Sequence, residues 1–236
     1  VLALKERYAD PRRTHIAADL VEALSDEDLI PVEQVIVTIT EQGYIKRVPA
    51  TTYRAQTRGC QGVVGMTTRE EDAVRYLVTA STHDTMLFFT NRGRVFQERV
   101  YNIPDGARTG KGVALVNLIN IDAGELVTAV VPLPAPASGN GTSHLDDHFL
   151  GMVTVKGKIK RVDLRELGAV RPSGINAIAL DPGDELGWAR VTDGKSELIV
   201  VTRAGRAVRF HETEVRSMGR TARGVTAIRL AAGDRV

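Results

Sequence analysis

Cysteine is almost absent from this 236-residue chain, with Cys60 standing alone. A lone cysteine excludes an intramolecular disulfide and fits a reducing cytoplasm. It also argues against a zinc site, and no histidine lies near it in sequence to make it a nucleophile. Long apolar runs are missing too. None approaches the ~18 residues of a membrane-spanning helix, so no transmembrane helix is expected. The opening stretch VLALKERYADPRRT has neither a methionine nor the layout of a signal peptide, and it reads as the interior of a longer chain. Net charge is scarce as well, only +2. That total excludes little, because the distribution of charge matters more.

What the chain does have is repetition. Four segments share one pattern: VIVTITEQGYIKRV from Val35, MLFFTNRGRVFQER from Met86, GMVTVKGKIKRVDL from Gly151 and LIVVTRAGRAVRFH from Leu198. Each is an apolar β-rich run, a threonine, a short polar stretch, a glycine, then a run mixing apolar and basic residues. That pattern predicts a hairpin with Gly43, Gly93, Gly157 or Gly205 in the turn. A second glycine follows each, Gly62, Gly112, Gly174 and Gly224, at offsets of 19, 19, 17 and 19 residues. Another short β run follows each of these. Turn glycines recur 50, 64 and 48 residues apart, and the long interval holds the loop-like PLPAPASGNGTSHLDDH. A period near ~50 with about four strands is the size of a propeller blade. The expected fold is all-β, an array of about four four-stranded blades at roughly 33–82, 83–133, 147–194 and 195–236. Residues 1–32 read as a short helical tail and an acidic linker.

Charge follows the same landmarks. Between the two glycines of each repeat the chain carries 18 basic and 6 acidic residues in all, a net +12, whereas the remaining 158 residues carry −10. Equivalent positions in successive blades fall on one circumference, so these segments would form a continuous basic belt suited to a polyanion. Solubility alone would not put the acids elsewhere in every repeat. The candidate contacts are Lys46, Arg47, Arg54, Gln56, Arg58, Gly59, Gln61 and Gly62 in the first repeat, and Arg94, Arg108, Lys111 and Gly112 in the second. The third repeat contributes Lys158, Lys160, Arg161 and Arg171, and the fourth Arg206, Arg209, Arg220, Arg223 and Gly224. The glycines would let backbone N–H groups approach phosphate oxygens. Phosphate contacts position a protein without reading bases, so binding largely independent of sequence is expected.

Other chemistry fits less well. GARTGKG (Gly106–Gly112) has the wrong spacing for a phosphate loop and a glycine where Ser or Thr should hold magnesium. GNG at Gly139–Gly141 lacks the third glycine of a dinucleotide fingerprint. HLDDH (His144–His148) has metal-ligand residue types but reads as loop polarity. Trp188 and Phe210 are expected to pack between blades, and Tyr44 and Tyr53 in hairpins. No residue set resembles an active site.

The run GYIKRVPATTYRAQTRGCQG resembles the first blade of the C-terminal domain of the DNA gyrase A subunit, which carries a box of pattern Q-R-R-G-G-K-G. YADPRRT and EDLIP resemble the segment before that blade. The resemblance implies a β-pinwheel whose blades bind and bend double-stranded DNA around their rim, within an ATP-dependent type II topoisomerase that introduces negative supercoils. It implies no cofactor in this chain, with ATP and magnesium in the full complex. As partners it implies duplex DNA, a second A subunit, plus the gyrase B subunit. The implied location is cytoplasmic and nucleoid-associated, without membrane contact. The box here reads Gln56, Thr57, Arg58, Gly59, Cys60, Gln61, Gly62. Two of its three positive charges are replaced, which keeps the A subunit of the related topoisomerase IV open as an alternative. A propeller used as a protein-interaction scaffold is the alternative from a different class.

Overall fold

A threonine three residues ahead of each turn glycine closes the hairpins. The N–H groups of Gly43, Gly93, Gly157 and Gly205 donate to the carbonyls of Thr40, Thr90, Thr154 and Thr202 at 2.9–3.0 Å. The hydroxyls of Thr40, Thr154 and Thr202 accept a second bond, from the backbone N–H just past the glycine, at 3.0–3.3 Å. All four glycines have φ between 75° and 82°, which L side chains resist. Thr-x-x-Gly therefore marks each of the four turns.

The computed structural model describes residues 2–8, 26–53, 58–59, 62, 65–66, 72–135 and 147–236. Two units form, Val1–Pro31 and Val32–Val236. In the first, a short helix, α1 (Leu2–Tyr8), buries no side chain, and a 3-10 turn spans Asp26–Leu29. The second holds the strands. The first repeat supplies β1 (Gln34–Thr40), β2 (Tyr44–Pro49) and β3 (Val74–Ser81). The second supplies β4 (Thr85–Thr90), β5 (Arg94–Arg99), β6 (Val113–Ala114) and β7 (Val127–Leu133). The third supplies β8 (Phe149–Thr154), β9 (Lys158–Asp163), β10 (Ile175–Asn176) and β11 (Leu186–Thr192). The fourth supplies β12 (Glu197–Val201), β13 (Ala207–His211) and β14 (Val225–Thr226).

The fold is the all-β pinwheel, and its sheets do not coincide with the sequence repeats. Their orders are β3-β1-β2-β6, β7-β4-β5-β10 and β11-β8-β9-β14, with β12-β13 alone as a fourth. Each four-stranded sheet takes its outermost strand from the next repeat, pairing Ile45 with Val113, Val95 with Ile175 and Ile159 with Val225. Each of these sheets is thus latched to the repeat that follows it. Among the described residues the fourth sheet has two strands, fewer than the four expected.

Apolar side chains fill the gaps between sheets. Met86, Phe88 and Phe96 pack toward Val35, Val37 and Ile39 of the first sheet, while Leu87 and Phe89 pack toward Leu150 and Met152 of the third. A strand buried on both faces must be apolar throughout, which accounts for the unbroken run MLFF. Burying each of these large side chains contributes roughly 1.5–3 kcal/mol. At the other edge of the sheets, β3 packs against β7 and β7 against β11. Tyr76, Val78, Thr128, Val130, Trp188 and Arg190 of these three strands line a cavity of about 250 Å³. The last strands of the first three repeats therefore converge, and the borrowed strands lie at the opposite edge of each sheet.

Candidate nucleic-acid interface

The basic segments run along β2, β5, β9 and β13 and the loops that lead to the borrowed strands. Each of these loops starts with a 3-10 turn and ends in a tight turn closed by one backbone bond. Those bonds are Gly110 N–H to the Ala107 carbonyl (2.8 Å), Gly174 N–H to Arg171 (2.8 Å) and Ala222 N–H to Gly219 (3.1 Å). Loop and preceding sheet meet closely. Arg47 N–H donates to Pro104 and Met218 N–H to Arg161, so the rim loops of the second and fourth repeats are laced to the second strand of the previous repeat.

Four acids outside the basic segments, one in each repeat, hold the hairpins. Asp72, Asp184 and Asp234 accept backbone N–H bonds from Gln42, Lys156 and Ala204 in the hairpin turns, at 2.9–3.1 Å. Glu125 accepts from the Thr90 hydroxyl at 2.5 Å. Each repeat thus uses a carboxylate from outside its basic segment to hold its own hairpin.

The structure sorts the candidate cations into three groups. Lys46 and Lys160 are removed from the surface, because both are fully buried with their ammonium groups bonded to backbone carbonyls. Burial, opposed by Glu166 and reinforced by Arg220, lowers the Lys160 pKa to about 8. Burial and then Arg108 lower that of Lys46. A phosphate cannot reach either group without opening the loops above.

A second group is half-buried and engaged in ion pairs. Arg47 pairs with Asp105 through two bonds of 2.6 and 3.2 Å. Arg94 bonds Asp122 and Glu125 at 2.7 and 2.9 Å while lying 4.8 Å from the Phe96 ring centre. Arg161 lies 3.4 Å from the buried Glu212 carboxylate and 4.3 Å from the Phe149 ring centre. Lys158 pairs with Asp181 at 2.5 Å, and this bond holds the Asp181 carboxyl below its usual range.

The third group faces outward. Arg58, Arg171, Arg206, Arg209 and Arg223 are exposed, and Arg108, Lys111 and Arg220 are half-exposed. Arg209 and Arg223 make loose ion pairs of 3.3 and 3.4 Å, with Glu197 and Asp181. The Lys111 ammonium rests 4.3 Å from the Tyr44 ring centre, so Tyr44 supports a rim cation as well as its hairpin. Arg171 and Arg220, from consecutive rim loops, line one open depression of about 600 Å³ together with Asn176 and Thr221. Sequence reasoning missed Asn176 and Thr221, which carry no charge to mark them. It also omitted Arg216, exposed within the fourth basic segment, which counting charge could have found.

The glycines divide similarly. Gly59 (φ 84°) and Gly62 are exposed, with open space around them. At Gly112 and Gly224 the reason for glycine is internal. A Cβ there would lie 2.4 Å from the carbonyl oxygens of Ile45 and Ile159, so glycine at these positions allows strand latching. Arg54, Gln56, Gln61, Cys60 and His144 lie outside the described residues. Trp188, expected between blades, is 44% exposed beside Ile199 and Val201.

A family model for the DNA gyrase C-terminal domain, described as a beta-propeller, matches residues 34–81, 84–134, 152–193 and 196–236. The DNA gyrase A subunit of Halalkalibacterium halodurans is 45% identical over 228 residues, covering 97% of this chain and 26% of that protein. The DNA gyrase A subunit of Staphylococcus aureus strain MRSA252 is 41% identical over 233 residues, covering 99% of this chain and 26% of that protein. The chain thus spans about a quarter of the length of these relatives. Among solved structures, the C-terminal domain of DNA topoisomerase IV superposes with a TM-score of 0.68 at 29% identity, over 87% of this chain and 60% of that one. A DNA gyrase A C-terminal domain superposes with a TM-score of 0.66 at 24% identity, over 86% of this chain and 63% of that one, a likeness of fold.

Proposed function

Since the chain belongs to the DNA gyrase C-terminal domain family, we propose that it binds duplex DNA along its basic rim and bends it, as the C-terminal part of the A subunit of a type II topoisomerase. The observation that supports this most is the placement of accessible cations on equivalent loops of successive repeats, while one carboxylate per repeat is engaged in the hairpin turn. The chain supplies binding and no bond chemistry. In the full protein, a second A subunit, the B subunit, plus ATP with magnesium would supply strand passage and negative supercoiling, in the cytoplasm at the nucleoid.

The burial of two lysines and the pairing of several arginines reduce the number of phosphate contacts. Arg58, Arg108, Lys111, Arg171, Arg206, Arg209, Arg216, Arg220 and Arg223 remain accessible. About nine contacts give a log–log salt slope of roughly −8. The test is fluorescence anisotropy with two duplexes of unrelated sequence, between about 50 and 200 mM salt. Similar affinities for both, with that slope, support the proposal. Absence of binding at the lowest salt, or affinity indifferent to salt, overturns it.

The altered box favours a second reading. With Thr57, Cys60 and Gln61 at three of its positions, the first repeat keeps a single box cation, Arg58. DNA bent without chiral wrapping would then suit a decatenating enzyme of the topoisomerase IV type.

A further inference from the structure

Lys46 and Lys160 occupy equivalent places, three residues past the turn glycines Gly43 and Gly157, and both are fully buried. Each ammonium donates in two directions. Toward its own repeat, Lys46 bonds the Gly65 carbonyl at 3.0 Å and Lys160 the Ala177 carbonyl at 2.8 Å. Those acceptors are themselves equivalent, three residues past Gly62 and Gly174. Toward the next repeat, Lys46 bonds the carbonyls of Ala107, Arg108 and Gly110 at 3.1, 2.5 and 2.8 Å. Lys160 bonds the Arg220 carbonyl at 2.6 Å. An ammonium has three protons whose desolvation these carbonyls offset, so the bonds hold the loops.

The second repeat provides an internal contrast. Phe96 stands where the lysines stand, and the loop above it rests on the ring. A Cβ on Gly174 would lie 2.7 Å from a ring carbon. This is also the loop of the shorter glycine spacing, 17 residues against 19. Two additional residues accompany the loops that wrap around an ammonium.

We propose that Lys46 and Lys160 are positioning residues for DNA binding, each tying the rim loop of its own repeat to that of the next. The spacing between successive cation-bearing loops is then set from inside, by groups that never touch DNA. This rests on the DNA-binding reading above. It is specific in direction: the lysine of one repeat governs the loop of the following one, which carries Arg108 and Lys111 or Arg220 and Arg223.

The test uses Lys46→Met and Lys160→Met, which keep the apolar stem and remove the ammonium. Lys46→Gln and Lys160→Gln, which keep a donor, stand in if either methionine variant does not fold. Two readouts are needed, amide hydrogen exchange of the free chain and duplex affinity across salt. Expected are faster exchange at 107–112 or 219–224, unchanged exchange at 169–174, a roughly tenfold loss of affinity and a salt slope shallower by about two. A slope shallower by about one with unchanged loop exchange marks a direct phosphate contact and overturns the proposal. Faster exchange with unchanged affinity, or no change in either, also overturns it. If the parent chain binds no duplex at all, the DNA reading itself fails, and loop exchange still reports whether the lysines hold the loops.

Discussion

Gly112 lies so close to Ile45 that a Cβ on it would stand 2.4 Å from the Ile45 carbonyl oxygen. The same distance separates a Cβ on Gly224 from Ile159. Each contact is where a borrowed strand joins the preceding sheet. Gly112→Ala combines this clash with φ of 81° and should destabilise the chain by roughly 3 kcal/mol. Gly205→Ala has a similar φ but open space, and should cost about 1 kcal/mol. Urea unfolding of both variants checks the difference; equal losses would contradict strand latching as the cause.

Arg171 and Arg47 should behave oppositely. Arg171 is exposed beside Arg220, whereas the Arg47 side chain is 15% exposed and bound to Asp105 and the Val100 carbonyl. Arg171→Ala should make the salt slope of DNA binding shallower by about one and leave the melting temperature unchanged. Arg47→Ala should lower stability by about 1–2 kcal/mol. Calorimetry and anisotropy on the same preparations separate the two effects.

Lys160 gives a pH dependence of definite sign. Its folded pKa, about 8, lies below the ordinary lysine value of 10.5. Between those values the unfolded chain binds the extra proton, so this residue makes stability rise with pH across that window, by on the order of 3 kcal/mol at most. Below pH 8 both states are protonated and its contribution is flat. Urea midpoints from pH 7 to 10 should show the rise, and Lys160→Met should remove it. A parent and variant with parallel pH profiles would contradict the assignment.

Glu212 is fully buried and accepts from the Thr192 hydroxyl (2.6 Å), Ser196 N–H (2.8 Å) and Arg161 (3.4 Å). Thr192 ends β11 and Ser196 precedes β12, so the carboxylate joins the third sheet to the fourth. Glu212→Gln leaves the half-buried Arg161 without its counter-charge and should destabilise by roughly 3 kcal/mol. Arg161→Met with Glu212→Gln should recover part of that loss, measured as a double-mutant cycle.

The turns were legible because glycine at positive φ and a threonine three residues earlier leave a literal trace in the sequence. The basic belt was legible because charge segregates by position within the repeat. The exchange of outermost strands was not: Val113, Ile175 and Val225 look the same whichever sheet they complete. Nor does a lysine in a hairpin announce burial. Lys46 and Lys111 are both basic residues between the same kinds of landmark, and only the three-dimensional position of the rim carbonyls separates them. One sequence signal did exist. The shortened glycine spacing of the third repeat coincides with Phe96 in place of lysine in the strand beneath, and the contact becomes evident once repeats are seen to stack on their predecessors.

Binding and wrapping of DNA by the rim are read together in the topology of a closed circle. Circular plasmid is relaxed by a type I topoisomerase in the presence of saturating chain, at low and moderate salt, and its linking number is then read after deproteinisation. A DNA-wrapping rim shifts the linking number, and the shift fades as salt rises. A distribution unchanged at low salt, with the chain bound, would contradict wrapping; the same distribution with no chain bound would contradict the rim as a DNA-binding surface.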